Sequence, residues 1–306
     1  MTFLSLLAAL VLEQAWPLRE GNRARRWFGR YALLLQGQFD GGERRHGVIA
    51  WMLAVLPLVA VTVAVHQALH AASPLAGGLW SVAVLYFTMG FRQFSHYFAD
   101  IQQALRAGDL APARDRLGRW RGESAQEFNA GEIARVAVEQ GLLASHRHVF
   151  GTLFWFVALG PGGAVLHRAS VVIAGLWTAR ADPESGVFGR FARRACYWLE
   201  WVPAWPTAVS FAVVGDFEDA IYCWRTQAAA WAAQPEGIVL ATGGGALGVR
   251  LGGTLHQHGS LTFRPELGVG EEADADGMQS AAGLVWRALV LWMFLILVIS
   301  FAHALG

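Results

Sequence analysis

The run from His46 to Phe91 contains no Asp, Glu, Lys or Arg. A helix needs about 20 apolar residues to cross the hydrocarbon of a bilayer, and this run holds two, predicted over 47–67 and 77–92. The break between them, His70-Ala71-Ala72-Ser73-Pro74, is short and uncharged, like the tip of a helical hairpin. Pro57 falls inside the first of the pair, where a membrane helix tolerates it because neighbours re-satisfy the freed backbone. Residues 288–306 form a further apolar run behind Arg287 with no polar face. A surface helix would show such a face, so a span is predicted over 283–304. Residues 1–18 are apolar apart from Glu13. They lack the basic start and small-residue cleavage site of a signal peptide, which predicts an uncleaved membrane segment.

The middle of the chain is interrupted. Residues 148–179 are apolar but carry Gly160-Pro161-Gly162-Gly163 and His167-Arg168. A helix does not run unbroken through that sequence, so two half-helices around the break are predicted. The stretch 195–215 carries Glu200, Pro203 and Pro206 and reads as re-entrant or interfacial. Between 93 and 147, Ile101, Leu105, Leu110 and Leu117, then Ile133, Val136 and Val138, form the apolar faces of short helices. Residues 226–281 are Ala-, Gly- and acid-rich, and Glu271 to Asp276 reads as a solvated linker. The fold class expected is all-α: a single polytopic membrane domain over 1–306, with re-entrant half-helices and a cytoplasmic helical region.

Charge gives an orientation. All 24 basic residues are arginine, and only 15% of the chain is charged. Arg19, Arg23, Arg25, Arg26, Arg30, Arg44 and Arg45 crowd one segment. Arg92, Arg106, Arg114, Arg116, Arg119, Arg121, Arg135 and Arg147 crowd another, whereas the hairpin tip at 67–76 has none. By the positive-inside rule both Arg-rich segments are cytoplasmic, as is the stretch with Arg180, Arg190, Arg193 and Arg194. This predicts a bacterial inner-membrane protein whose first partner is the lipid bilayer. A net charge of +1 leaves no electrostatic footprint for nucleic acid. The absence of lysine excludes a Walker A loop and lysine Schiff-base chemistry.

The candidate chemistry is sparse. Gly243 to Gly253 is glycine-rich, and Gly245, Gly248, Gly252 and Gly253 with Arg250 form a candidate phosphate cradle. Close helix packing followed by a turn is the alternative. Ionisable residues within apolar segments are functional candidates: Arg168 and Glu200, which would neutralise one another as a pair. Glu139 and Arg194 complete the set of polar candidates. His146, His148 and His167, or His256 and His258, lack metal-ligand spacing, so no metal and no cofactor is expected. Cys196 and Cys223 read as buried reduced thiols.

Several blocks resemble the CobD/CbiB family of membrane proteins. They are Ala104 to Leu110, Glu132 to Arg135, Ala137-Val138-Glu139, Leu153 to Phe156, Phe188-Gly189, Arg194, Trp201 and Pro203-Ala204. The most specific is Gly245 to Gly253, reading GALGVRLGG. The resemblance implies cobalamin biosynthesis, in which adenosylcobinamide-phosphate synthases attach an aminopropanol phosphate to cobyric acid. Glu13, Leu199 to Pro203 and the closing helix resemble a sister branch, AmpE, associated with signalling for β-lactamase induction. Where the synthases carry polar residues, this chain has Leu143, Ala144 and Arg147, then Val171 and Ala174, then Cys196 and Tyr197, and then Gln234 to Gly237. These departures predict a member without catalytic residues, an AmpE-like signalling or assembly component with a membrane or cytoplasmic protein partner, oligomerisation being open. A divergent synthase retaining Glu139, Arg194 and the glycine motif is the alternative. A transporter with a broken-helix site at Gly160–Gly163 lacks an inverted repeat.

Overall fold

The computed structural model describes residues 2–16, 23–40, 44–178, 187–257 and 259–305; Arg19, Arg180 and His258 lie outside them. Helices dominate. In chain order they are α1 (Thr2–Ala15), α2 (Arg23–Phe39), α3 (Arg44–Ala72), α4 (Pro74–Thr88), α5 (Phe91–Arg106), α6 (Leu110–Arg121) and α7 (Ala130–Ser145). A π-helical turn, His146–Phe150, leads into α8 (Gly151–Thr178), α9 (Gly189–Val214), α10 (Phe217–Gln227) and α11 (Gln234–Leu247). Short strands follow: β1 (Val249–Gly252), β2 (Leu255–Gln257), β3 (Ser260–Thr262), β4 (Glu266–Leu267) and β5 (Glu271–Glu272), before α12 (Ala275–Leu305). Among the described residues, three helical segments, Arg45–Ala72, Ala130–Thr178 and Ala275–Ala302, are long and apolar enough to cross a membrane. The chain is an all-α membrane protein. It folds into two compact units.

The first unit comprises Met1–Gly90 and Arg147–Glu200. Its longest helix, α3, has 29 residues and so spans about 44 Å, more than a hydrocarbon core of about 30 Å. Pro57 cannot donate to the carbonyl four residues back, and Tyr31 Oη from α2 donates to that Leu53 oxygen instead, at 3.2 Å. Trp51, Val55, Ile173, Trp177 and Phe188 form a buried core among α2, α3 and α8, and Trp177 Nε1 donates to Ala32 O at 3.0 Å.

The break expected at Gly160 is present. Gly160 has φ 66° and ψ −158°, a region essentially reserved for glycine. In a straight helix Thr152 and His167 would be about 22 Å apart; Thr152 Oγ1 and His167 Nδ1 are 3.5 Å apart. The two parts of α8 therefore run antiparallel, as a hairpin. A Cβ on Gly163 would sit 2.1 Å from Trp155 O, and one on Gly162 2.5 Å from Val63 Cγ2, so small residues are required where the hairpin closes.

Residues 195–214 lie within a continuous 26-residue helix, α9, despite Pro203 and Pro206. The carbonyl that Pro203 orphans, Leu199 O, accepts from Trp155 Nε1 at 2.8 Å. A side chain distant in sequence supplies the bond whose loss would otherwise break the helix.

The second unit comprises Phe91–His146 and Trp201–Gly306. Helices α7 and α11 are buried along almost their whole length. The glycines of α11 permit three close approaches. A Cβ on Gly243 would lie 2.7 Å from Leu142 of α7, one on Gly244 3.0 Å from the Gly268 Cα, and one on Gly245 2.5 Å from Asp219 O of α10. Gly248 then ends α11 in the left-handed conformation, the usual glycine C-cap, and turns the chain into β1. Strand β1 pairs antiparallel with β4 and parallel with β5, while β2 and β3 form a separate hairpin. These strands, only two to four residues long, fall in the Ala-, Gly- and acid-rich region 226–281, and β5 takes up the first two residues of the segment read as a linker.

Candidate functional site

Helix α7 starts with a capping box. Asn129 Oδ1 accepts from Glu132 N at 2.9 Å, and Glu132 Oε2 accepts from Asn129 N at 2.8 Å. Glu132, Arg135 and Glu139 follow at spacings of three and four, which places them on one face. That face reads the backbone of β1 and β2 in reverse order. Glu132 Oε1 accepts from His256 N at 3.0 Å and from His256 Nδ1 at 2.8 Å. Arg135 Nη2 donates to Thr254 O. Glu139 Oε1 accepts from Gly252 N at 2.8 Å.

Glu139 is 3% exposed and would be costly to bury alone. Arg264 grips it with two bonds, Nη1 to Oε2 at 2.7 Å and Nη2 to Oε1 at 3.0 Å. Nη2 also donates to Gly252 O at 3.1 Å and Nε to Gly253 O at 3.4 Å. The guanidinium lies over the Trp231 ring, 5.6 Å from its centroid. Both glycines have positive φ, and a Cβ on Gly252 would lie 1.9 Å from Pro265 O. The glycine motif thus lets the chain pass between α7 and the Arg264 segment.

Beside this clasp lies a cleft of about 200 Å³, lined among others by Arg135, Arg250, Gly253, His256, Glu266 and Glu272. The strand pairing sets its charges: Arg250 faces Glu272 across β1 and β5, and Glu266 faces Gly252 across β1 and β4. Arg135 Nε is buried and, among the described residues, has no hydrogen-bond partner. Guanidinium and carboxylate groups together suit a small ligand carrying both signs of charge.

Of the phosphate candidates, Arg250 and Gly253 line this cleft and Gly252 lies directly behind it. Gly245 and Gly248 do not line it; they pack α11 and cap it. Glu139 belongs to the clasp. Arg168, Arg194 and Glu200 belong to the other unit. There Arg168 is buried and contacts His148, Glu200 accepts from Arg147 Nε at 2.8 Å, and Arg194 is exposed. His146 Nδ1 lies 3.2 Å from Thr207 Oγ1. Sequence reasoning missed Glu132, Arg135, His256 and Arg264 as site residues. The spacing of Glu132, Arg135 and Glu139 on an otherwise apolar helix was the available signal. Cys196 and Cys223 are both buried. Burial, then the negative charge of Asp219, pushes the Cys223 thiol up to about 11.

A family model described as CobD/Cbib protein matches residues 6–285. The cobalamin biosynthesis protein CobD of Stutzerimonas stutzeri is 38% identical over 301 residues, covering 96% of this chain and 97% of that protein. The protein of the same name from Chromobacterium violaceum is 35% identical over 243 residues, 79% of this chain and 72% of the relative. The Mycobacterium tuberculosis protein is 27% identical over 226 residues, covering 71% of this chain and 70% of the relative. No solved structure matches the chain.

These relatives overturn the expectation of a non-catalytic, AmpE-like signalling component, since the near-full-length match is to a protein named for cobalamin biosynthesis. The physical reason for the error lies in α7. Leu143 and Ala144 are buried packing positions in the last turn of α7, while the polar constellation occupies the turns before it, at Glu132, Arg135 and Glu139. Counting replaced polar residues overlooked the ones that assemble. Matched from residue 6 to residue 285 and related along nearly its whole length to CobD proteins, the chain belongs to the CobD/CbiB family.

Proposed function

We propose that this protein is an adenosylcobinamide-phosphate synthase, joining an aminopropanol phosphate to cobyric acid through an amide bond. The observation that carries this reading is the 38% identity across 96% of the chain to a cobalamin biosynthesis protein. The cleft supports it chemically. Aminopropanol phosphate is a small zwitterion, with a phosphate at one end and an ammonium at the other. The guanidinium groups of Arg250 and Arg135, which line the cleft, face the phosphate, and Glu266 and Glu272 hold the ammonium. Arg264 and Glu139 keep the Gly252-Gly253 backbone in place behind them. The protein lies in a bacterial inner membrane with its Arg-rich segments in the cytoplasm, a reading supported by the positive-inside rule. The α8 hairpin is re-entrant from that side. The protein partner expected of a signalling component has no place in this reading.

The test is direct. Full-length protein in detergent is incubated with adenosylcobyric acid, aminopropanol phosphate and a nucleoside triphosphate, and the amide product is read by mass spectrometry. Product is expected. Arg250→Ala should raise KM for aminopropanol phosphate about 10- to 100-fold, the equivalent of losing a charged hydrogen bond of roughly 1.5–3 kcal/mol. Folded protein that makes no product would overturn the reading.

A further inference from the structure

We infer that His256 is the general base that deprotonates the substrate amine, held for that task by Glu132. The inference rests on the synthase reading above and adds a catalytic residue to it. An amine reaches the enzyme as an ammonium ion and cannot attack a carbonyl carbon until its nitrogen regains a lone pair. A base must therefore stand where the ammonium binds.

The geometry supplies one. Glu132 is buried, with its side chain only 6% exposed, while the His256 side chain is 54% exposed and lines the cleft. The carboxylate is fixed by three donors: Asn129 N on Oε2 at 2.8 Å, and His256 N and Nδ1 on Oε1 at 3.0 and 2.8 Å. A carboxylate that accepts from Nδ1 keeps the proton on that nitrogen and leaves the Nε2 lone pair as the acceptor. Carboxylate–imidazole pairs in hydrolases work by the same division of labour. A cap alone needs only the Asn129 bond; the second oxygen holds both the backbone and the ring of one histidine, so the ring cannot turn away.

The charged groups around the imidazole are Glu132 and Arg135 from α7, Arg250 from β1, Glu266 from β4 and Glu272 from β5. Glu123 and Glu127, near the far end of the β2–β3 hairpin, are engaged by Gln257 Nε2 and Gly259 N. In the step itself, one N–H bond of the ammonium breaks, its electron pair stays on nitrogen and the proton passes to Nε2. The corrinoid carboxylate enters as an acyl phosphate, formed when the γ-phosphoryl group of a nucleoside triphosphate passes to one carboxylate oxygen and the nucleoside diphosphate leaves. The amine nitrogen bonds to the carboxyl carbon, the C–O bond to the phosphate breaks, and phosphate departs with that electron pair and the second proton of the nitrogen. Ammonium, carboxylate and nucleoside triphosphate give amide, nucleoside diphosphate, phosphate and one proton, which His256 releases to solvent.

The experiment is the pH dependence of kcat and KM for wild-type, His256→Asn and His256→Ala full-length protein, with a thermal midpoint for each. Asparagine can still donate to Glu132, so it separates positioning from base catalysis. General acid–base contributions run to about 10²–10⁴-fold. His256→Asn should lose at least about 100-fold in kcat, keep its KM within a few-fold and lose the acidic limb of the profile. Added imidazole should partly restore His256→Ala. Active wild-type protein with an unchanged kcat and profile in His256→Asn would sink the assignment and leave the synthase reading standing. Inactive wild-type protein would remove both.

Discussion

Glu139 and Arg264 show what a single buried pair does in this protein. They are 125 positions apart in sequence, yet their bidentate contact fixes the strand that carries Arg250. Removing one partner leaves an uncompensated buried charge, a cost of about 3–5 kcal/mol. Arg264→Ala should therefore lower the thermal midpoint in detergent sharply, and the double variant with Glu139→Leu should recover part of the loss. Wild-type stability in Arg264→Ala would show the clasp to be dispensable. Cys223 makes a prediction in pH. Its thiol is held neutral by burial and by Asp219, at about 11 against an ordinary 9.0. The folded state thus binds the proton more tightly than the unfolded chain. That stability is complete below about pH 9 and is lost as pH rises through about 11. Denaturation midpoints followed from pH 8 to 11 should fall less in Cys223→Ala than in wild type. Glu139 was visible in the sequence as a polar residue on an apolar helix. Its partner was not, because no local spacing links residue 139 to residue 264.

Helices in this chain are set by breaks and by what repairs them. The apolar runs and the Gly160 interruption were legible because both are local. The continuity of α9 was not, since the Leu199 carbonyl freed by Pro203 is satisfied by Trp155, an indole 44 positions away. Trp155→Phe keeps the ring and removes the donor. It should loosen α9 near Pro203, seen as faster amide hydrogen exchange over 199–206; unchanged exchange would show another group caps the carbonyl. The Gly243–Gly245 run could be read as a cradle or as packing, and the structure places it in α11 against α7 and α10. Gly245→Ala would push a methyl to 2.5 Å from Asp219 O, an overpacking cost of about 1–3 kcal/mol. Gly160→Ala meets no neighbour within 4 Å, so its cost, about 1–3 kcal/mol, comes from backbone conformation alone. Thermal midpoints of the two variants check both, and a neutral Gly160→Ala would show that the hairpin does not need that conformation.

Taken as a whole, the chain combines membrane helices with a small charged cleft built from α7 and the strands after α11. Hydrophobic patterning was enough to identify a membrane protein, because length and apolarity follow directly from the bilayer. The cleft was only half visible: Arg250 and Gly253 were named as ligand contacts, whereas Arg135 was read only as a cytoplasmic charge and His256 only as half of a weak histidine pair, because helix and loop had to be matched across more than 100 residues. The same gap produced the non-catalytic expectation, which weighed the polar residues absent from Leu143, Ala144 and Cys196 without knowing which others converge. The central claim is synthesis of the aminopropanol-phosphate amide of cobyric acid. It is tested most directly by complementation of a bacterial strain lacking adenosylcobinamide-phosphate synthase and supplied with cobyric acid. Growth dependent on this protein, lost in Arg250→Ala with Arg135→Ala, is the predicted result. No growth, with the wild-type protein confirmed in the membrane, would contradict it.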